Sequence, residues 1–167
     1  MAQTRIPDPT LMARLQLSVK GVDWAGSLVA HRQHEQIDGE WSPLQHLFHL
    51  NATETIVYHA RLERILREEV PVFSNWDSEA FMRDQYDAAS PVMDLANAFV
   101  RNRERTVEIF KGLTEQQWLR RGAWPDGRNI DLAWLAEKAL WHSLDHFATL
   151  LDLHGEMELL QAPGWNT

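Results

Sequence analysis

Two histidines, His142 and His146, stand four residues apart in "ALWHSLDHFATLL" (139–151), a stretch otherwise built of Leu, Ala, Trp and Phe. They fall on a spacing of threes and fours, 132, 135, 139, 142, 146, 150 and 153, that places them on the same inward stripe as the leucines. Burying an imidazole without a partner costs free energy. Residues four apart on a helix are neighbours, about 6 Å between Cβ atoms, a separation at which two rings can ligate one metal ion. The competing reading is a pair of hydrogen-bonded core histidines.

A third ligand has to come from another helix. "WSPLQHLFHLNATE" (41–54) offers His46 and His49. His49 is the better choice: it is one turn into the helix and in register with Ala52, Ile56 and Ala60, where small side chains leave room. His46 lies nearer the helix start, either behind a ligand or in solvent. His31, His34, His59 and His154 sit at helix ends or on faces that the pattern does not orient. Three neutral imidazoles hold a divalent ion and leave one to three positions open, the mark of a catalytic site. Such an ion lowers the pKa of a bound water or thiol. Zinc or nickel suits imidazole, with iron and manganese as further candidates. Glu54, Glu137 and Asp145 are candidate acceptors for the free ring nitrogens, although Asp145 falls off the histidine face. Arg103 lies on the inward stripe of a third helix (96, 99, 103, 107, 110) and is a candidate for binding an anionic substrate group.

The elements that must position these residues have legible starts. Asp8-Pro9, Ser42-Pro43 and Ser90-Pro91 each pair a capping oxygen with a proline that lacks the orphaned N–H. Gln45 completes a capping box at 42–45, and "TEQQ" (114–117) is a second one. The apolar spacing is helical in four long segments, about 8–29, 43–69, 91–111 and 130–154. The third turn region, "RRGAWPDGRN", breaks the chain before the last of them. No segment reads as a strand pair. The connection 70–90 is long and contains a short helix at "SEAFMRDQY"; Trp76, Phe81 and Tyr86 on it are candidate walls of a pocket. The tail "QAPGWNT" reads as irregular. The expected fold is all-α, a four-helix bundle with a long connection between helices two and three, and a single domain over 1–167 with its core at about 8–155.

Composition narrows the function. The 167 residues suffice for one sizeable core. The absence of cysteine excludes disulfides, thiolate metal sites and cysteine nucleophiles. A net charge of −8 disfavours nucleic-acid binding, and the one basic cluster, "RNRER" (101–105), reads as a solvated helix face. No apolar run approaches membrane-spanning length and no signal sequence is evident, so a cytoplasmic protein with no membrane partner is expected. Di-iron Glu-x-x-His pairs, HExxH, a P-loop and GxGxxG are all absent. The eight tryptophans fit an interface, and a homodimer stays open.

At "WSPLQHLFHL" and "WHSLDH" the chain resembles the DinB/YfiT-like family of four-helix-bundle metalloenzymes. The resemblance covers about 8–155. It implies a DinB-like bundle with a three-histidine metal site, one ligand at His49 and two at His142 and His146. It further implies a small-molecule substrate and either thiol-dependent S-transfer, with a low-molecular-weight thiol as partner, or hydrolysis. The alternative is a non-catalytic binding or stress-response bundle whose histidines are structural. Many members continue past the last histidine with a small polar stretch. Here "FATLLDLHGE" stands there instead, on what is expected to be the pocket side.

Overall fold

The computed structural model describes residues 6–159; the tail 161–167 lies outside them. Four long helical rods form the bundle. The first is α1 (Thr10–Val29). The second is α2 (Pro43–Thr53), which runs without a break through a π-helical turn (Glu54–His59) into α3 (Ala60–Arg67). A short α4 (Ser78–Gln85) sits in the long connection. The third rod is α5 (Val92–Lys111), the fourth α7 (Leu132–Leu159), with a one-turn α6 (Glu115–Trp118) between them. Helix α1 packs along α7 and α5, and α2 packs against α5 and α7, which closes the ring.

The helix starts follow from local chemistry. Ser42 Oγ accepts from the Gln45 amide, and the Gln45 side chain accepts from the Ser42 amide, 2.8 Å away. Thr114 and Gln117 repeat this box. Asp131 Oδ1 takes the Trp134 amide at 2.6 Å and so opens α7. Each such cap contributes about 1 kcal/mol. The Ser90-Pro91 pair departs from expectation. Ser90 Oγ donates to Asp87, and the Val92 amide is taken by Gln33 Oε1 at 2.9 Å from across the chain.

Between α6 and α7 the chain also forms a strand pair that the sequence reading missed: β1 (Arg121–Ala123) and β2 (Asn129–Asp131), antiparallel. Three-residue strands are too short to show alternation. Ala123 exchanges backbone bonds with Pro71 and Phe73, 2.9 Å each, which ties the hairpin to the 68–77 loop. Only glycine fits at 122, because a Cβ there would lie 2.4 Å from the Phe73 ring.

The interior is two apolar halves. One gathers Leu15, Tyr58, Leu62, Val107, Phe110 and Leu135; the other Val22, Leu47, Leu50, Ala96, Phe99 and Leu150. A polar layer separates them. Along α5 the order is Phe99, Arg103, Val107; along the second rod it is Leu50, Glu54, Val57; along α7 it is Ala139, then His142, Ser143 and His146, then Leu150. The histidines thus belong to a belt of buried polarity at mid-bundle, flanked by conventional core.

The π turn sets the register of that belt. A π turn spends one extra residue, and it commonly occurs at functional sites. An uninterrupted α-helix would carry Ile56 inward with His49 and Ala52. Instead Ile56 is 44% exposed, and Val57 and Tyr58 are buried. The extra residue rotates the chain after Glu54, so that Arg61 faces the same side as His49.

Candidate metal centre

His49 reaches the belt from α2, and His142 and His146 reach it from α7. Each offers one ring nitrogen, and these three nitrogens lie within 4.8 Å of one another. His49 Nε2 and His142 Nε2 are 3.1 Å apart. Two ligands at 2.0–2.1 Å from a tetrahedral ion would be about 3.3 Å apart. His146 Nδ1 meets His46 Nδ1 at 2.9 Å, which leaves the Nε2 of His146 for the centre. His49 Nδ1 and His142 Nδ1 are buried and have no hydrogen-bond partner among the described residues. The donor set, three imidazoles and no carboxylate, fits a divalent ion of the zinc or nickel kind.

Burial keeps the rings neutral, the state that ligation requires. It pushes His49 down to about 4, with a contribution from His46. It pushes His142 down to about 3, with contributions from His49 and Arg103, and His146 to about 2, with contributions from His142 and His46. His46 is also lowered by burial, opposed by the nearby exposed Asp145. Above the free-imidazole value of 6.5, folded and unfolded chains carry the same neutral rings. Below it the unfolded chain takes up protons that the folded rings refuse, so stability falls with pH. The metal-free protein is therefore expected to melt at progressively lower temperature as pH drops from 6.5 toward 4. Thermal melts across that range test this, and a flat Tm would contradict it.

The other sequence candidates lie elsewhere. Glu54 has no exposed surface, and its two oxygens accept from Arg103 Nε (2.7 Å) and Thr106 Oγ1 (2.6 Å). Glu137 is half-buried on α7. Arg103, considered for an anionic substrate group, also has no exposed surface. It is held by Glu54 and donates to the Ala139 carbonyl at 3.2 Å. With both ends of its guanidinium inside the core, it does not line the cleft. The bonded neighbour of the triad is His46, and Thr53 Oγ1 adds a contact of 3.3 Å to His49 Nε2. Thr53 is one turn beyond His49, a signal visible in the sequence but not used there. The segment after His146 also departs from expectation. Phe147 packs toward Trp24 and Gly21, away from the site.

A cleft of about 410 Å³ opens on His49 and His142. From the long connection Trp76 stacks on His49, ring centroids 5.8 Å apart, and Phe81 backs Trp76. Tyr86, the third expected wall, packs on Phe48 instead. Trp41 covers His46 and His49 from the α2 side. Trp124 from the hairpin and Trp134 from α7 complete the rim. No described helix is long and apolar enough to cross a membrane.

Comparison with known proteins bears on this arrangement. The profile of the DinB superfamily matches residues 23–150. YfiT from Bacillus subtilis, a probable metal-dependent hydrolase with an unusual four-helix bundle topology, shares the fold. Its TM-score is 0.81 at 21% identity, over 95% of this chain and 93% of that one. A DinB-like protein of Bacillus subtilis, YjoA, aligns with a TM-score of 0.59 at 16% identity, over 89% of this chain and 92% of that one. No curated protein matches the sequence.

Proposed function

The chain belongs to the DinB superfamily, and from that membership together with its clustered histidines we propose a metal-dependent enzyme acting on a small molecule. The observation that carries this reading is the convergence of His49, His142 and His146, two of which, His49 and His142, line an open cleft. A divalent ion held there supplies a Lewis-acid position that acidifies a bound thiol or water.

The protein's own residues do the remaining work. His46 fixes the ring of His146 through the 2.9 Å contact, and His49 is held by Trp76, which stacks on it, and by Trp41, which meets it at a tilt. Tyr58 is pushed up to about 12 by burial, so its hydroxyl keeps its proton and donates a hydrogen bond to the Lys138 carbonyl. The residues lining the cleft include no carboxylate to act as general base. A nucleophile that ionises easily on a bound ion, as a thiol with a free pKa of about 8.5 does more readily than water, asks least of such a site. This favours transfer to or from a low-molecular-weight thiol. The fold shared with YfiT supports hydrolysis as the second reading.

The two are separated by incubating zinc- or nickel-loaded protein with 1-chloro-2,4-dinitrobenzene and a small thiol, and separately with p-nitrophenyl acetate alone. Metal-dependent thioether formation is the expected result. Ester cleavage without thiol, again lost on metal removal, would move the assignment to hydrolysis. No metal-dependent turnover of either substrate would leave a binding protein.

A further inference from the structure

The cleft carries a charge pattern opposite to that of the rest of the chain. The protein has a net charge of −8, yet the cleft is lined by Arg61 and Lys138 and by no Asp or Glu. Among the described residues neither cation is in an ion pair. Arg61 is half-buried. One Nη donates to the Ser74 carbonyl at 3.0 Å, and the guanidinium lies 4.9 Å from the Trp124 ring centre and 5.6 Å from that of Phe73. Lys138 Nζ lies 5.9 Å from the Trp134 ring centre. Burial of a cation without a counter-charge costs free energy, and it lowers the pKa of Arg61. A ligand anion would return it.

The walls between these cations are apolar and flat. Trp124 and Trp134 meet edge to face, 6.4 Å between centroids, and Trp76, stacked on His49, lines the same cleft. Asn75 adds a neutral polar group. The volume, about 410 Å³, falls in the range of small-molecule sites.

We propose that Arg61 and Lys138 form an anion subsite for a small molecule with a flat, apolar body and an acidic group, carboxylate or sulfonate. The acidic group sits between the two cations, and the body lies along the tryptophans toward His49 and His142. The identification of this molecule as the substrate rests on the enzymatic reading above, whereas its binding does not.

Benzenesulfonate, a weak metal ligand, is the probe, and methyl phenyl sulfone is its uncharged counterpart of nearly the same shape. Both are titrated by tryptophan fluorescence against zinc-loaded protein, chelator-stripped protein, and zinc-loaded Arg61→Gln and Lys138→Gln. Benzenesulfonate is expected to bind wild type one to one and the sulfone about tenfold more weakly or worse, a difference of about 1.4 kcal/mol. Each variant should weaken benzenesulfonate several-fold while its zinc content stays that of wild type. Lys138 is exposed, so its variant reads the subsite even if Arg61→Gln folds poorly. Stripped protein should still bind the sulfonate. Equal binding of sulfone and sulfonate, no binding of the sulfonate, or binding unchanged in Lys138→Gln would overturn the subsite. Sulfonate binding that disappears with zinc would also overturn it, because the anion would then be a metal ligand. Sulfonate binding intact in a protein that takes up no zinc would keep the subsite and remove the metalloenzyme reading.

Discussion

Arg103→Met is expected to destabilise the protein by about 3–5 kcal/mol. The Arg103–Glu54 pair has no exposed surface on either side and joins α5 to the π turn of the second rod. Removing the guanidinium leaves the Glu54 carboxylate buried with only the Thr106 hydroxyl. It also strips the Ala139 carbonyl of a donor one turn before His142. For a domain of this size each kcal/mol shifts Tm by roughly 2–4 °C, so the loss should exceed 6 °C. The double variant Glu54→Leu/Arg103→Met removes both charges and is expected to recover most of that loss, since an apolar replacement of a buried pair is often neutral. Urea unfolding of the single and double variants measures both quantities. A single variant within about 1 kcal/mol of wild type would show that the pair is not the keystone of the polar belt. The belt has a cost that the wild type already carries: Arg103 Nη2 has no hydrogen-bond partner among the described residues.

The larger effect on function is expected at the triad. His142→Ala removes the nitrogen that stands 3.1 Å from His49 Nε2. Two imidazoles remain, below the three protein ligands of a typical catalytic zinc site. Metal affinity should fall by far more than the 10–100-fold typical of losing a supporting partner, and turnover should fall with it. Stability of the metal-free protein should change in the opposite sense to the metal-bound protein. His142 is only half-buried and its Nδ1 has no hydrogen-bond partner among the described residues, so truncation relieves a desolvated ring. A variant that binds as much metal as wild type but melts earlier would instead make these histidines structural.

How much of this was legible in the sequence depends on the range of the interaction involved. The stripe carrying His142 and His146 was legible because α7 is one uninterrupted α-helix, and its period holds from Leu132 to Leu153. His49 rather than His46 falls in the cluster with His142 and His146, and the sequence carries that placement because the Ser42 box fixes where α2 begins. The assignment of Ile56 to the same face failed, because nothing local marks a π turn. Its cause is tertiary: Glu54 is drawn to Arg103 and Thr106 on α5. For the same reason Arg103 was correctly placed inward while its partner went unseen. The cations of the cleft were out of reach for a further reason. Arg61 turns toward His49 only after the π turn, and Trp124 meets it only through a hairpin whose strands are three residues long. The stripe Trp134, Lys138, His142 on α7 was available at helical spacing and marks one wall of the cleft.

The central claim is that His49, His142 and His146 hold one divalent ion. It is tested most directly by elemental analysis of the protein and of His142→Ala, both purified without a histidine tag and dialysed after incubation with zinc or nickel. About one ion per chain in the wild type, lost in the variant, is the predicted result. An equal metal content in both proteins, or none in either, would contradict it and return the three histidines to the buried core.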